Sequence, residues 1–316
     1  MRKTLVISGY VSLDRILNIE SPAKEGFTSI VTNDDNNDIY MGGCPINIAV
    51  ALSKLNVKIK PLIRVGKDYE SSGLKGFLED AGVITEGIEV VEEAATSKCY
   101  LVEDKRGSHI TLFYQGAQNK KYFKPLKNVY FKDVSYGILT VGNELDNYEF
   151  YEKCKKNHIP LIFGMKADFD AFPHNVLKEI LLYSSIIFMN ESEQSEIERR
   201  MNLDRIEDLF NLGNAQLIIT THGSDGSEYY WRHNGELVHE WIPICKPQKV
   251  VDFTGCGDAY VAGFLYGYMN QWSIRECCMY GSVLSSFVIE KRGCCTNLPE
   301  ETELYSRYNQ MRKEMR

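Results

Sequence analysis

Two carboxylates flank a glycine turn just ahead of an apolar segment in the last third of the chain. The stretch is Asp252-Phe-Thr-Gly-Cys-Gly-Asp258, and Ala-Tyr-Val-Ala-Gly-Phe-Leu-Tyr-Gly follows it directly. Glycines allow the backbone to turn tightly, and the first turn of a helix leaves N–H groups without backbone partners. Those N–H groups and the helix dipole attract negative charge. The stretch therefore predicts an anion-binding site at the start of a helix.

The position of Asp258 in that stretch allows two interpretations. A carboxylate in the first turn of a helix is a natural cap for the exposed N–H groups. Phosphoryl transfer, in contrast, needs charge stabilisation together with an oriented nucleophile. The backbone amides would then stabilise a transferring phosphoryl group while Asp258 takes a proton from an attacking hydroxyl. In that case Asp252 is left to help to hold a cation or to set the loop.

Two more polar stretches lie where ligands bind in sheet proteins. Gly42-Gly43 precedes Asn47 at the head of a predicted helix. Two glycines permit close approach of the backbone to a ligand, and the amide offers donors and an acceptor, although a plain turn is the alternative. Asn190 and Glu193 come at the end of an apolar run, where parallel strands bind ligands. They suit Mg²⁺ held through water, or they only cap the next helix.

A fourth stretch, Thr221-His-Gly-Ser-Asp-Gly226, follows another apolar run. It would place nucleotide phosphates at that strand end, unless it is only a hairpin turn. The chain has no GxxxxGK[ST] stretch, so it is not a P-loop enzyme, and it lacks the HRD and DFG motifs of protein kinases. The histidines have no metal-ligand spacing, and we expect ordinary polar roles for them, His222 included.

The composition limits the partners and the compartment. A net charge of −7 and a pI of about 5.5 argue against nucleic acid or an anionic membrane surface as a partner. The nine cysteines form no CxxC pair, and their odd number predicts reduced thiols and a cytoplasmic location. No stretch reaches the ~18 apolar residues that a membrane span requires.

Short apolar runs alternate with helix-length segments along most of the chain. The predicted buried strands are 4–11, 136–142, 159–165, 184–190 and 215–221. Such alternation implies βαβ units and a mostly parallel sheet that helices cover on both faces. Polar turns inside 96–115 and 226–243 predict two hairpins. We expect a single α/β domain over 1–316, with a small β appendage formed by about 12–40 and 95–118.

Taken in chain order, the stretches 42–47, 190–193, 221–226 and 252–258 resemble the signatures of the PfkB carbohydrate kinase family, also called the ribokinase family. Its two signatures are similar to Gly42-Gly-Cys-Pro-Ile-Asn47 and Asp252-Phe-Thr-Gly-Cys-Gly-Asp258. Its Asn-x-x-Glu motif resembles Asn190 to Glu193, and its Thr-x-Gly-x-x-Gly nucleotide stretch resembles Thr221 to Gly226. The resemblance covers nearly the whole chain. It implies a ribokinase-like fold whose β appendage is a lid that closes over the substrate.

The resemblance implies that the chain moves the γ-phosphoryl group of Mg·ATP to a hydroxyl of a small acceptor. Asp258 would be the general base on that hydroxyl. The anion hole would be formed by the backbone amides of Gly255, Cys256 and Gly257. The acceptor hydroxyls would be gripped by Asp14, Gly42, Gly43 and Asn47.

The resemblance also implies the residues that bind ATP and cations. ATP would be bound by Asn190, Thr221, Gly223 and Gly226. Glu193 would hold Mg²⁺ through water, and Asp252 and Thr254 would be ligands of a monovalent cation such as K⁺. Lids pair in many members of the family, so a homodimer through the lid is a further expectation.

Three residues depart from the family signatures and bear on the acceptor. Phe253 replaces the usual Thr, Cys256 replaces the usual Ala, and Ser12 replaces an Asn of the ribose kinases. These departures argue against ribose. Similarity to bacterial adenosine kinases in 110–117, 255–260 and 290–297 favours a nucleoside such as adenosine, phosphorylated at its 5′-hydroxyl.

Two alternatives to a nucleoside kinase remain open at this point. A sugar kinase acting on ribose, fructose or a sugar phosphate would use the same residues. A non-catalytic ligand sensor would keep the fold without the chemistry, but the presence of Asp258 and both glycines disfavours it. The pair Phe113-Tyr114 would stack on a base or cover a sugar, unless the two rings only pack between lid strands.

Overall fold

The computed structural model describes residues 4–105, 109–166, 168 and 171–315. The strands are β1 Thr4–Ser8, β2 Ser12–Ile19, β3 Tyr40–Gly42, β4 Ile59–Pro61, β5 Ile63–Gly66, β6 Ile88–Val91, β7 Lys98–Asp104, β8 His109–Tyr114, β9 Val134–Leu139, β10 Leu161–Gly164, β11 Ser184–Asn190, β12 Leu217–Thr221, β13 Ser227–His233 and β14 Glu236–Ile242. The helices are α1 Cys44–Lys54, α2 Leu74–Asp80, α3 Glu144–Lys156, α4 His174–Tyr183, α5 Glu191–Met201, α6 Leu209–Leu212, α7 Cys256–Met269, α8 Ile274–Val288 and α9 Glu301–Glu314.

The large sheet has the strand order β14-β13-β12-β11-β10-β9-β1-β4. The six strands from β12 to β4 run parallel, and the β13–β14 hairpin continues the sheet antiparallel. The expected mostly parallel sheet is therefore confirmed. Because parallel strands end at one edge, the segments that follow β10, β11 and β12 lie side by side there.

Alternating side chains along the parallel strands enter two separate cores. In β11, Ile186 and Phe188 belong to a core with α1, α7 and α8, whereas Ile187 and Met189 belong to a core with α3, α4 and α5. Successive side chains of a strand point to opposite faces, so an uninterrupted apolar run requires cover on both sides. The chain forms this double cover, as the sequence predicts.

A second sheet of four strands has the order β3-β2-β7-β8. Its register places Asp14, Cys99 and Phe113 side by side, and Ile16, Leu101 and Thr111 beside them. Partners across a ladder share a face. We call this face the inner face, because Ile16, Leu101 and Thr111 line the cleft over the large sheet. The other side, the outer face, carries the exposed Ile110, Leu112 and Tyr114.

A buried ion pair anchors the segment that leaves the small sheet. The Arg64 guanidinium makes two hydrogen bonds of 2.6 Å to the Asp146 carboxylate, and its Nε donates to the Ala117 carbonyl at 3.0 Å. The Gln118 amide in turn donates to the Arg64 carbonyl. Both partners of the ion pair are largely removed from solvent, since the Arg64 side chain is 8% exposed and the Asp146 side chain is 17% exposed. The pair therefore fixes where the small sheet joins the main body.

The structure refines several predicted boundaries. The predicted strand 4–11 ends at Ser8, because the chain leaves the large sheet there and enters the small sheet at Ser12. The small β5–β6 sheet was not expected from the sequence. The predicted 96–115 hairpin forms, although part of its turn lies outside the described residues. Among the helices described, none is long and apolar enough to cross a membrane.

Replacement of Asp146 by alanine tests the buried anchor. The change leaves the Arg64 guanidinium buried without its partner, which typically costs about 3–5 kcal/mol of unfolding free energy. Urea denaturation should show a lower midpoint with little change in slope. Glu70→Ala in the exposed Lys75–Glu70 pair is the matched control and should leave the midpoint nearly unchanged. Equal midpoints for both variants would contradict the anchoring role.

Candidate active site

The polar strand ends surround a cleft between the large sheet and the inner face of the small sheet. Its volume is about 790 Å³. Among its lining residues are Lys166, Asn190, Thr221, Asp252 and Asp258. Lys166 follows β10, Asn190 and Thr221 end β11 and β12, Asp252 lies in the loop before α7, and Asp258 is in the first turn of α7. A larger cleft of about 1140 Å³ elsewhere includes none of the predicted site residues. We therefore take the smaller cleft as the candidate site.

The predicted anion-binding turn begins α7. Gly255 has φ 79°, a left-handed conformation that favours glycine, and α7 starts at the next residue. The first helical hydrogen bond runs from the Ala259 N–H to the Gly255 carbonyl, and the Cys256 N–H donates to the Phe253 carbonyl. The helical ladder thus leaves the N–H groups of Gly257 and Asp258 unpaired at the cleft. These are the amides that remain for an anion.

The Asp258 carboxylate does not cap its own helix. No side-chain capping bond is present at the start of α7. Instead, its Oδ2 accepts a hydrogen bond of 2.7 Å from the Asn47 amide in the first turn of α1. Asn47 Oδ1 also lies 3.7 Å from the Cys295 thiol, which donates to it. The structure therefore removes the simple capping alternative and brings two predicted site residues together.

Asp14 lies behind the glycine pair, with a buried oxygen that has no partner. A Cβ at Gly42 would stand 2.1 Å from Asp14 Oδ2, so only glycine fits beside the carboxylate. Asp14 Oδ1 is buried and accepts no hydrogen bond within the described part of the chain. Burial raises the pKa of Asp14 to about 6, although a hydrogen bond from Ser12 and the charge of Lys166 oppose that rise. A buried acceptor without a donor is costly, so a ligand hydroxyl would satisfy it.

Asn190 and Glu193 form a capping box at the start of α5. Asn190 Oδ1 accepts from the Glu193 N–H, and Glu193 Oε2 accepts from the Asn190 N–H, each at 2.9 Å. This is the capping alternative that the sequence left open. Both residues also line the cleft. Nowhere in the described ranges do three or more acidic, histidine or cysteine side chains gather as a metal site.

The loop after β12 is held by a histidine that the sequence did not single out. The His222 ring lies 2.8 Å from Glu191 and 3.1 Å from Glu228 through its two nitrogens. It also stacks on Trp241, with ring centroids 4.7 Å apart. The backbone N–H of His222 donates to the Gly226 carbonyl at 2.8 Å, and this bond closes the loop Thr221–Gly226. The only sequence signal was its place between Thr221 and Gly223.

Asp252 sets the loop before α7, which is one of its two predicted roles. Its Oδ1 accepts from the Thr254 N–H at 2.8 Å, and its Oδ2 accepts from the Gly293 N–H at 3.1 Å. The neighbouring Arg292 pairs with Asp35 at 2.9 Å and donates to Asn18 Oδ1 at 3.1 Å. Arg292 therefore connects the main body to the small sheet beside the cleft.

The thiols around the cleft are protonated, passive groups. Burial raises the pKa of Cys256, and it raises that of Cys295 to about 12. Cys44 and Cys294 are shifted upward by burial in the same way. A thiol is a nucleophile only as the thiolate. These cysteines therefore contribute packing and weak hydrogen bonds.

Comparisons with known proteins identify the family of the chain. The sequence matches the pfkB family carbohydrate kinases over residues 2–301. A nucleoside kinase of Methanocaldococcus jannaschii is 33% identical over 304 residues, covering 96% of each chain. Its crystal structure, aligned at 28% identity over 98% of each chain, has a TM-score of 0.87.

Two further nucleoside kinases are similar to the chain over nearly its whole length. A nucleoside kinase of Methanothermobacter thermautotrophicus is 25% identical over 308 residues, covering 97% of this chain and 96% of its own. A Burkholderia thailandensis nucleoside kinase, solved in complex with inosine, shares the fold over 97% of each chain. Its TM-score is 0.85 and its sequence identity is 21%. The chain belongs to the pfkB family of carbohydrate kinases, and it is a phosphotransferase.

Proposed function

We propose that this chain is an ATP-dependent nucleoside kinase that phosphorylates the 5′-hydroxyl of a nucleoside such as adenosine. The observation that carries the proposal is the hydrogen bond from Asn47 to Asp258. It holds the Asp258 carboxylate in the cleft, in the first turn of α7. A carboxylate beside unpaired helix amides joins a general base to an anion site. The 33% identical relative is named a nucleoside kinase, which supports this class of acceptor.

The acceptor side of the cleft would be held by Asp14, Gly42, Gly43 and Asn47. Asp14 Oδ1 would accept a hydrogen bond from a ribose hydroxyl, because it lacks a donor in the described structure. Gly42 lets the chain pass close to that carboxylate, and Gly43 lets it pass close to the Tyr10 carbonyl. Asp258 would then accept the proton of the reacting hydroxyl as the oxygen attacks the γ-phosphorus.

The ATP side would be formed by the strand ends after β11 and β12. Thr221, Gly223 and Gly226 shape the loop that would lie against the phosphates, and Asn190 lines the cleft beside it. The amides of Gly257 and Asp258, at the anion hole expected from Gly255 to Gly257, would stabilise the phosphoryl group during transfer. His222 keeps this loop in place from behind.

The residues present fit a Mg²⁺ ion that ATP carries into the cleft. Mg²⁺ keeps several waters and binds one or two carboxylates together with substrate phosphates, so a three-carboxylate cage is not needed. Glu193 and Asn190 offer oxygens at the cleft and would reach the ion through water. The ion would neutralise phosphate charge. We also propose Asp252 and Thr254 as ligands of a monovalent cation, since Asp252 lies at the same turn.

The small sheet would act as a lid that covers the acceptor. Its inner face brings Phe113 against Tyr10, with ring centroids 4.9 Å apart, and the Gln115 amide donates to the Tyr10 hydroxyl. An aromatic pair on that face suits a nucleobase. The unpaired state of all nine cysteines supports the proposed cytoplasmic location, where thiols stay reduced.

The panel that tests the acceptor measures ADP release from Mg·ATP with adenosine, other nucleosides, ribose, fructose and fructose phosphates. We expect turnover with nucleosides, and we expect KCl to support it better than NaCl. Turnover on sugars alone would overturn the nucleoside assignment. Binding of ligands without turnover on the whole panel would favour the sensor.

Asp258→Asn should accompany the panel. Asparagine keeps an oxygen for Asn47 but is no base, so kcat should fall by about 10²–10⁴ while acceptor binding is largely kept. Asp80→Asn at the exposed end of α2 is the matched control and should retain full turnover. Asp258→Asn within a few-fold of the wild type would remove Asp258 as the base.

The pH dependence of kcat/KM for the acceptor tests Asp14. Its carboxylate is charged above a pKa of about 6 and neutral below it, so kcat/KM should fall as the pH drops through about 6. Asp14→Asn should remove that limb and lower kcat/KM at high pH. Survival of the limb in Asp14→Asn would assign it to another group. The groups that act on Asp14 or are acted on by it are Lys166, Asp258, Cys99, Cys294 and Cys295.

We further propose a homodimer through the outer face of the lid. Ile110, Leu112 and Tyr114 alternate along the edge strand β8 and are 45%, 56% and 53% exposed. An exposed apolar edge strand is a typical pairing surface. Sedimentation should show a dimer, and Leu112→Glu should shift it to the monomer, with Leu237→Glu on the β14 edge as the control. A monomeric wild type would contradict the proposal.

A further inference from the structure

Lys166 is a cation in the cleft to which neither the sequence motifs nor the preceding roles assign a function. It follows β10 after Gly164 and the buried Met165, at the edge where the parallel strands end. Its side chain lines the cleft together with Asn190 and Asp258 and is exposed to it. The lysine therefore stands where the ATP side and the acceptor side meet.

The Lys166 ammonium makes no hydrogen bond or salt bridge to any residue in the described ranges. Two carboxylates nevertheless lie within electrostatic range of it, Asp14 on the acceptor side and Asp258 at α7. Cys44, and after it Asp258, Cys294 and Asp14, raise the pKa of Lys166 above its ordinary value. Burial opposes this rise. Since the ordinary pKa of a lysine already lies well above 7, the ammonium is charged at neutral pH.

An anion is the ligand that this position lacks. A charged lysine partly removed from water gains most from a hydrogen-bonded negative partner. A nucleoside is uncharged, so the acceptor cannot supply that partner. The γ-phosphoryl group of ATP carries negative charge and must reach the space beside Asp258 for transfer to occur. The cleft would thus supply two different groups for the transfer. Asp258 would be the base for the hydroxyl, and Lys166 would be the cation for the phosphoryl oxygens.

We propose that the Lys166 ammonium contacts the phosphoryl group as it passes from ATP to the acceptor, which makes Lys166 a catalytic residue; this inference rests on the proposed kinase function. The acceptor oxygen forms a bond to the γ-phosphorus, and its proton goes to the Asp258 carboxylate. The bond from that phosphorus to the bridging oxygen breaks, and its electron pair leaves with ADP. Lys166 stays protonated throughout and stabilises the oxygens of the phosphoryl group.

Three variants test this role by kinetics. Lys166→Met keeps the length of the side chain without the charge, and we expect kcat to fall by about 10²–10³ with the KM of the acceptor changed less than about threefold. Lys166→Arg keeps the charge and should recover part of that loss. Lys178→Met, an exposed lysine of α4, is the matched control and should behave as the wild type.

The binding of ADP with aluminium fluoride, in the presence of adenosine, gives a readout that does not need turnover. The fluoride complex stands in for the phosphoryl group in transfer. Lys166→Met should weaken its binding by about the factor lost in kcat and should weaken ADP alone far less. Equal affinity of Lys166→Met and wild type for the fluoride complex would overturn the proposal, as would kcat within threefold of the wild type.

The pH profile separates contact with the phosphoryl group from a purely electrostatic effect on Asp14. Lys166 lowers the pKa of Asp14, so its removal should move the acid limb of kcat/KM to higher pH. A shifted limb with unchanged fluoride binding would show that Lys166 only tunes Asp14. If Asp258→Asn is inactive while Lys166→Met is active, the kinase function stands and the Lys166 role fails. If the wild type is inactive on every acceptor, the proposed function fails, and fluoride binding still decides the role of Lys166.

Discussion

The hydrogen bond from Asn47 to Asp258 joins two residues that are 211 positions apart. It connects the first turn of α1 with the first turn of α7, so both helix starts are fixed at one point of the cleft. Helix dipoles and unpaired amides act only within the first turn. The bond therefore fixes the Asp258 carboxylate beside both helix starts. Under the proposed function, this point would be where the phosphate and the hydroxyl meet.

The two cores stabilise the elements that carry Asn47 and Asp258. α1 and α7 belong to the same core, on one face of the large sheet, and pack against each other there. The second core fixes the same strands from the other face. Since close-packed interiors resist small displacements, the strand ends that carry Asn190 and Thr221 cannot drift relative to the start of α7. The cleft is thus bordered by rigid elements on its main-body side.

Both core packing and polar contacts attach the small sheet to this body, since Leu13 of β2 belongs to the same core as α1 and α7. Arg64 holds the outgoing segment through Ala117, and Arg292 holds the Asp35 turn. The same sheet carries Asp14. Under the proposed function, closure of the sheet would therefore bring this carboxylate to the acceptor.

Local patterns in the sequence were enough to predict the main backbone features. Uninterrupted apolar runs required a sheet covered on both faces, and the glycines at 42–43 and 255–257 marked where the chain turns around a ligand, because these properties are local. Which side chains meet, in contrast, could be seen only in the folded chain. The partner of Asp258, the loop-holding place of His222 and the position of Lys166 depend on residues distant in sequence. No local pattern encodes such contacts, since they arise when strand ends and helix starts are brought to one edge of the sheet.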